Sequence, residues 1–397
     1  MLHSGDDPVI ATLGRQLRLG VVGGAPGAMI APMHRRASVL DGRFAIVAGV
    51  LSSDPARSVA AGIEIGLAPD RAYGSVAHMV DAETSRADGI DAVAIMTPND
   101  SHYAIAAAAT DRNLDVIIDK PLVNLAAEAT ELLHRVRRAG TVLCVTHPYS
   151  AYPMIREARA LIEAGALGEI RAIEVRYLAG GLAAPIDGTA EGKRRWRLDP
   201  ARSGPSLVLG DLGTHAHHLA AFVLNAPVSA VRAELATLVR GRRVHDYAEL
   251  ALRFASGARG RVGLCQAAPG QPNNLSLSVI GERASLEWRH DLHAELSLLP
   301  LADPPQRLLA GAPYLSPAAR AASRLARTGH PDGMLEAFAN LYSEAALAIA
   351  TRRAGKPPDQ DALFPTVLDG ARGIWFIQAA IASDRSEHRW EPCPADA

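Results

Sequence analysis

The sequence predicts an α/β protein: an N-terminal doubly wound parallel sheet, followed by an α+β domain with a large, mostly antiparallel open sheet. Up to about residue 147, short continuous apolar runs alternate with amphipathic segments, as expected for strands covered on both faces. After Pro148, apolar and polar residues alternate along runs that Gly, Ser and Pro turns separate, as in sheets with one solvent-exposed face. We therefore predict two domains, residues 1–148 and residues 149–397.

The strands of the first domain are predicted at the spacing of strand–helix–strand units. Amphipathic helices are predicted between them, and the helix over 125–138 ends at Gly140 after a basic last turn. The predicted strands are 17–22, 44–51, 91–97, 115–119 and 141–146.

The second domain is predicted to begin with a helix over 153–164 and to end with helices over 334–353 and 366–383. Between them the alternating runs predict strands over 171–177, 247–254, 259–266, 275–280 and 285–288.

The composition excludes several classes of partner. Lys+Arg 41 against Asp+Glu 42 leaves a net charge of −1, so the chain has no long-range field to gather nucleic acid or an anionic membrane. Basic stretches at 193–197 and 240–243 are expected on solvated loops. The three cysteines form no CxxC pair, and the chain shows no secretory signal or membrane-spanning run. We predict a cytoplasmic protein that binds neither nucleic acid nor membrane.

A glycine-rich loop follows the first strand and leads into a helical pattern that extends to about residue 40. Exposed N–H groups at such a turn favour the pyrophosphate of a dinucleotide, as in a Rossmann fold. In the G-x-G-x-x-G/A fingerprint Ala25 replaces the second glycine; alternatively, Gly24 and Gly27 provide the close approach in a longer turn. Pro32 inside the helix would remove a helical hydrogen bond. The predicted cofactor contacts are Gly23, Gly24, Ala25, Gly27 and Ala28.

The end of the second strand bears on the choice of cofactor. An NAD site normally carries an acidic residue there for the ribose 2′-OH, and here the position is Ser52. Asp54 is predicted to be the N-cap of the next helix instead. Ser52, Ser53 and Arg57 would accept a 2′-phosphate, so the sequence favours NADP over NAD.

Two further loops follow predicted parallel strands, at the edge where ligands bind in open α/β sheets. A lysine held there before a proline, Lys120, is a candidate acid/base group because desolvation and a nearby dinucleotide would adjust its protonation. The other residues predicted at this edge are Thr97, Pro98, Asn99, His102 and Asp119.

Asp211 and His215 stand one helical turn apart, so the carboxylate can orient the imidazole. A metal site that also uses His218 is the rival interpretation. Positions i and i+7 on a helix lie about 10 Å apart by rise, too far for one ion, and only an i, i+4 pair with a distant ligand would serve. We predict no metal.

The glycine loop, the T-P-N…H segment, the D-K-P form of an E-K-P triplet and the D-x-G-x-H helix together resemble the glucose–fructose oxidoreductase/inositol dehydrogenase (Gfo/Idh/MocA) family. The resemblance implies an NAD(P)-dependent dehydrogenase or reductase acting on CH–OH groups of a sugar, cyclitol or polyol. It makes Lys120 the lysine of the triplet, and Asp211 with His215 the pair on the substrate-domain helix. It also implies a homodimer or homotetramer.

Either Lys120 or His215 could move the proton, and we favour Lys120.

Trp196, Arg197 and His330 lie in segments that resemble loops near the substrate in a sugar-active branch, and His218 stands where many members carry Asp. Two alternatives stay open: a redox-neutral, sugar-active enzyme that eliminates or hydrolyses glycosides with a tightly held dinucleotide, and a non-catalytic dinucleotide sensor. The predicted substrate contacts are Lys120, Trp196, Arg197, Asp211, His215, His218 and His330.

Overall fold

The chain was analysed as a computed structural model, which describes residues 7–185, 195–330, 332–357, 362–387 and 389–396. It divides into two compact units. The first comprises Met1–Val123, Ala127–Thr146 and Met334–Gly370, and the second comprises Asn124–Ala126, His147–Gly333 and Ala371–Ala397.

This division differs from the predicted one at the C-terminal end. The segment 334–370, predicted in the second domain, belongs to the first unit because the helix Met334–Arg353 packs against the helix Ala31–Val39 and the parallel sheet of that unit.

The bounds of the described helices and strands follow in chain order. The helices are α1 (Pro8–Leu13), α2 (Ala31–Val39), α3 (Pro55–Glu64), α4 (Val76–Thr84), α5 (His102–Asp111), α6 (Ala126–Ala139), α7 (Pro153–Glu163), α8 (Pro200–Ser203), α9 (Thr214–Leu224), α10 (Pro317–Ala322), α11 (Met334–Arg353) and α12 (Val367–Arg385). The strands are β1 (Leu17–Val22), β2 (Phe44–Val50), β3 (Ala92–Ile95), β4 (Asp115–Asp119), β5 (Leu143–Thr146), β6 (Ile170–Leu178), β7 (Val228–Ala236), β8 (Tyr247–Phe254), β9 (Arg259–Cys265), β10 (Asn274–Gly281), β11 (Ala284–Arg289), β12 (Glu295–Pro300), β13 (Gln306–Leu309) and β14 (Glu391–Pro392). Among the described helices, none is long and apolar enough to cross a membrane.

The first unit contains a five-stranded parallel sheet in the order β2-β1-β3-β4-β5. All four residues of β3 are buried, as are all four of β5, which explains their continuous apolar sequences. Because the strands are parallel, the loops that follow β1, β3 and β4 share one edge of the sheet. The predicted doubly wound fold is confirmed.

The helix after the glycine loop begins later than the sequence predicts. Helix α2 starts at Ala31, so Pro32 occupies the first turn, where a missing N–H breaks no helical hydrogen bond. The predicted irregularity at Pro32 is therefore wrong, and the loop between β1 and α2 is longer than the fingerprint suggests.

The second unit contains a nine-stranded sheet in the order β13-β12-β11-β10-β6-β9-β8-β7-β14. Its neighbouring strands are antiparallel except β6 and β9, as the predicted mostly antiparallel sheet requires. Strands β8 and β10 alternate buried and partly exposed residues, and helices α7 and α9 pack against the sheet. Strands β7, β12, β13 and β14 were not predicted.

The prediction that the basic stretch 240–243 is solvated is wrong at Arg242. This side chain is buried, its Nη1 lies 3.0 Å from Asp246 Oδ2, and its Nη2 donates to the carbonyl of Leu182 at 2.7 Å. Arg242 donates these hydrogen bonds inside the protein and is paired with a buried carboxylate, so its side chain is not displayed for contact with nucleic acid. Lys193 and Arg194, in the other basic stretch, lie outside the described residues.

Candidate active site

The glycine loop after β1 has a backbone that side chains would obstruct. Gly23, Gly24 and Gly27 have φ angles of 89°, 85° and 88°, in the left-handed region that favours glycine. A Cβ on Gly23 would lie 2.9 Å from the carbonyl carbon and oxygen of Met96. A Cβ on Gly24 would lie 2.3 Å from the Cβ of Ala31 in the first turn of α2. Gly23 and Gly24 thus let the loop pack closely against Met96 and Ala31, and which glycines approach the pyrophosphate, Gly24 with Gly27 among them, stays a prediction.

Backbone hydrogen bonds fix this loop against the end of β2. The N–H of Gly23 donates to the carbonyl of Val50 at 2.7 Å, and the N–H of Ala25 donates to that of Leu51 at 3.0 Å. Arg35 donates to the carbonyl of Gly24 at 2.8 Å. At the start of α2 no side chain caps the helix, Pro32 has no N–H group, and the N–H of Met33 donates to the carbonyl of Ile30 at 3.0 Å, so the N–H of Ala31 is the donor that this helix start could offer an anion. The cradle fits a pyrophosphate.

The residues after β2 bear on the ribose end of such a ligand. Asp54 is the N-cap of α3, as predicted, and accepts a hydrogen bond from the N–H of Arg57 at 2.7 Å. Ser52 Oγ accepts from the N–H of Asp54 at 3.2 Å. Ser53 and Arg57 are exposed. The carboxylate at this strand end thus caps a helix N-terminus, and the preference for NADP over NAD stays a prediction.

His102 connects the loops that follow β3 and β4. Its ring is fully buried, with Nε2 3.0 Å from the carbonyl oxygen of Thr97 and Nδ1 2.9 Å from that of Pro121. A carbonyl only accepts, so both hydrogen bonds form together only when the imidazole carries two N–H groups. The structure therefore places His102 beneath the loops predicted to line the nicotinamide end, where it holds both of them.

Asp119 ends β4 and carries a partner that the sequence did not predict. Its Oδ1 accepts from Thr146 Oγ1 at 3.1 Å and lies 3.7 Å from Nε2 of His34. Burial alone would raise the pKa of Asp119, but the neighbouring imidazole of His34, with the charges of Lys120 and His102, brings it well below its usual range. An anionic carboxylate therefore precedes Lys120, which is half-buried.

In the second unit, Asp211 lies in a π-helical turn, Leu209–Gly213, that runs directly into α9. Such turns widen the helix and are frequent at functional sites. The carboxylate of Asp211 accepts a hydrogen bond from Gln266 Nε2 at 2.6 Å. The predicted pairing of Asp211 with His215 stays a prediction, whereas the contact of Asp211 with Gln266 is one that no local sequence pattern indicates.

Three buried histidines meet beside this turn. Nδ1 of His147 lies 3.4 Å from Nδ1 of His215, and the ring of His147 stacks on that of His218 with centroids 4.7 Å apart. Ser150 donates its hydroxyl proton to the carbonyl of His147, so it accepts from Nε2 of His218 at 3.1 Å. His147 directly follows the parallel strand β5, a position at which ligand-binding residues are expected in such sheets.

Two tyrosine hydroxyls lie in the same unit, Tyr149 and Tyr177, 2.7 Å apart. Burial raises the pKa of Tyr149 to about 12, the hydrogen bond to Tyr177 lowers it, and the charge of Asp211 raises it. Both groups therefore stay protonated at neutral pH. Tyr149 and Tyr152 are both buried.

The remaining predicted substrate residues are less constrained. Trp196 and Arg197 are half-buried in a short 3-10 helix, with the guanidinium of Arg197 4.7 Å from the centroid of the Trp196 ring. His330 is exposed. Their contacts to a substrate stay predictions. Within the described ranges, no group of three or more His, Cys, Asp or Glu residues is arranged to hold a metal ion.

Two family models match the chain. One, described as the oxidoreductase family with an NAD-binding Rossmann fold, matches residues 17–147. The other, described as the GFO/IDH/MocA C-terminal domain, matches residues 155–287. Together they cover most of both predicted domains.

Similar proteins extend over nearly the whole chain. The uncharacterized oxidoreductase YfiI of Bacillus subtilis is 30% identical over 382 residues, which are 95% of this chain and 97% of that protein. The levoglucosan dehydrogenase of Pseudarthrobacter phenanthrenivorans is 26% identical over 77% of this chain and 80% of its own length.

Solved structures agree with the fold. An inositol dehydrogenase homolog from Azotobacter vinelandii, complexed with NAD+, has a TM-score of 0.90 and 33% identity, covering 95% of this chain and 97% of its own. The same homolog complexed with NADH and myo-inositol has a TM-score of 0.87 and 32% identity, covering 96% and 98%.

Proposed function

This chain belongs to the Gfo/Idh/MocA family of oxidoreductases, and from that premise we propose that it transfers a hydride between NAD(P) and a hydroxyl-bearing carbon of a sugar, cyclitol or related polyol. The observation that carries the proposal is the sheet edge of the first unit. There a glycine cradle too tight for side chains follows β1, and a lysine preceded by an anionic aspartate follows β4, the two strands on either side of β3 in one parallel sheet.

The cradle residues would hold the pyrophosphate through backbone N–H groups and the start of α2. Ser52, Ser53 and Arg57 would surround the ribose, where their hydroxyls and positive charge favour the 2′-phosphate of NADP. The nicotinamide end would lie at Thr97, Pro98 and Asn99, with Asp119 and Lys120 alongside and His102 holding the loops. When bound, the nicotinamide supplies the acceptor or donor of the hydride.

Lys120 is the residue that we assign to proton transfer. As its neutral amine it would take the proton of the substrate hydroxyl during oxidation, and as its ammonium it would return that proton during reduction. His215 is the alternative group, because its buried imidazole contacts a second imidazole with which it can share a hydrogen. Asp211, held by Gln266, would accept hydrogen bonds from substrate hydroxyls.

The substrate class follows from the polar groups available. Asp211, His215 and His218 offer acceptors and donors suited to a ring that carries several hydroxyls, and Trp196 with Arg197 would add a flat face and a cation. The myo-inositol in the A. vinelandii structure and the name of the levoglucosan dehydrogenase support this class. We also expect a homodimer or homotetramer, as the family resemblance implies.

We expect the purified protein to reduce NADP+, and less readily NAD+, in the presence of at least one member of a panel of cyclitols, aldoses and anhydrosugars. The measurement is absorbance of the reduced nicotinamide, preceded by binding titrations of NADPH and NADH. Failure of both dinucleotides to bind would contradict the cradle. Tight binding without net redox change across the panel would contradict net hydride transfer to the dinucleotide and favour the redox-neutral enzyme or the sensor.

A further inference from the structure

His34 is a buried imidazole for which the proposed reaction has no assigned use. It lies on α2, three residues past the helix start and close in sequence to the glycine loop. Its side chain has no exposed surface, and its ring stands edge-to-face against Phe338, with centroids 5.2 Å apart. A histidine sealed inside the protein must place both ring nitrogens against partners or leave a polar atom unsatisfied.

The two ring nitrogens of His34 face groups with different hydrogen-bonding abilities. Nε2 lies 3.7 Å from Oδ1 of Asp119, and Nδ1 lies 2.9 Å from the hydroxyl of Tyr342 on α11. The 3.7 Å separation from Asp119 exceeds hydrogen-bond distance, so Nε2 has no hydrogen-bond partner among the described residues and instead faces the carboxylate at ion-pair distance. At Nδ1 a neutral ring accepts from the tyrosine hydroxyl, whereas a ring with two N–H groups donates to it. The contacts thus run from Tyr342 through His34 to Asp119, the residue before Lys120.

We propose that His34 is a positioning residue for Lys120: it holds the Asp119 carboxylate, and with it the turn after β4, in the place and charge state from which the lysine side chain acts. The proposal rests on the role of Lys120 under the proposed function. Tyr342 lies on α11 and orients the imidazole of His34. Helix α11, which the sequence predicts in the second domain, thus supports Asp119 within the first unit.

The surroundings of Asp119 make its charge depend on His34. Desolvation opposes the carboxylate, and His34 makes the largest contribution that holds its pKa below the usual range. Without the imidazole, Asp119 would stay buried but lose the group that stabilises its ionised form. Its pKa would rise, so it would take up a proton at a higher pH than in the wild type. The titratable groups around the pair are His34, His102, Lys120, Tyr342 and Cys144.

Three variants separate charge from packing. His34→Phe keeps an aromatic ring but removes both nitrogens, whereas His34→Gln can place an amide N–H where Nε2 stands. Tyr342→Phe removes only the hydroxyl that orients the imidazole. We expect His34→Phe to lower kcat about tenfold to a hundredfold at neutral pH and further on acidification, with the KM for substrate changed less than about threefold. His34→Gln should recover most of the rate, and Tyr342→Phe should lose only about threefold.

A second readout needs neither cofactor nor turnover. In the wild type the depressed pKa of Asp119 stabilises the fold above the unfolded value of about 4, and that stability is lost only as the pH falls through the lower folded value. In His34→Phe the pKa of Asp119 is raised, so its ionised carboxylate destabilises the fold at neutral pH. Protonation of Asp119 at lower pH removes this destabilisation. The Tm gap between wild type and His34→Phe should therefore shrink by about half between about pH 7.5 and about pH 5, whereas the gap for His34→Gln should stay constant.

These results separate the present proposal from the proposed function. Loss of turnover in Lys120→Met together with wild-type kcat and pH profile in His34→Phe would overturn the positioning role alone. A Tm gap for His34→Phe that does not change with pH would also overturn it, because pure packing has no such dependence. If His34→Phe and His34→Gln show the same pH dependence, the titrating group is His34 itself, and the role assigned to Asp119 is wrong.

Discussion

A Lys120→Met variant is expected to lose turnover by about 10²- to 10⁴-fold, the range that a positioned proton-transfer group contributes. Methionine keeps the length and apolar stem of lysine but cannot take or return a proton. The glycine cradle is untouched by the change and His34 still faces Asp119, so NADPH affinity should remain within about threefold. The measurements are kcat with the best substrate of the panel and the Kd for NADPH by fluorescence.

Lys356→Met is the matched control. Lysine occurs at only three positions, 120, 193 and 356, and Lys356 is exposed in the same unit. The control should keep wild-type turnover. Near-wild-type kcat in Lys120→Met would contradict the role of Lys120, and proton transfer would then be assigned to His215. Lost NADPH binding would show that the lysine acts on the cofactor site.

Dinucleotide binding is expected to collapse in Gly24→Ala. The new Cβ would stand 2.3 Å from Ala31 Cβ, so the first turn of α2 must move away from the loop that we propose holds the pyrophosphate. We expect the Kd for NADPH and NADH to rise about a hundredfold, ~3 kcal/mol of binding free energy. Titration of the apo protein by fluorescence or calorimetry measures the effect without a substrate.

Gly66→Ala separates the clash from backbone strain. Gly66 has a φ of 92°, close to the 85° of Gly24, but an added Cβ would meet nothing within 4 Å. Both variants therefore carry the strain of a left-handed alanine, about 1–2 kcal/mol of stability. If Gly66→Ala weakens dinucleotide binding as much as Gly24→Ala does, the close approach of the cradle is not what holds the cofactor.

Local sequence signals were sufficient for much of the first unit. The strands β1 and β4 coincide with the predicted 17–22 and 115–119, because continuous Val/Ile/Leu runs have few alternatives in a chain of this pattern. The cap at Asp54 was also predictable, since a carboxylate before Pro55 satisfies the first free N–H groups of a helix. Lys120 could be found because its loop directly follows a buried strand.

Other features depend on contacts that no local pattern records. Strand β7 has the sequence VSAVRAELA, whose alanine and glutamate favour a helix, yet its pairing with β8 and β14 makes it a strand. Arg242 lies in a basic run, a pattern that predicts a solvent-exposed side chain. The side chain is buried instead, because it pairs with the carboxylate of Asp246 four residues later.

The partners within the candidate site were the hardest to predict. His34 and Tyr342 are 308 residues apart in the chain, and neither stands at a strand end or in a motif that indicates chemistry. Gln266 follows β9 as an ordinary polar residue, and only the sheet brings its amide to Asp211. Sequence motifs thus identified candidate residues for the chemistry, while the residues that orient them became visible only in the structure.

Isotope transfer tests hydride exchange between substrate carbon and nicotinamide most directly. The best substrate of the panel, deuterated at its carbinol carbons, is incubated with enzyme and oxidised NADP or NAD, and the reduced dinucleotide is analysed by mass spectrometry. We expect one deuterium per molecule of reduced dinucleotide, and a slower rate than with the unlabelled substrate if the transfer limits turnover. Consumption of the substrate without any reduced, deuterated dinucleotide accumulating would contradict the proposed oxidoreductase and leave the redox-neutral reaction in its place.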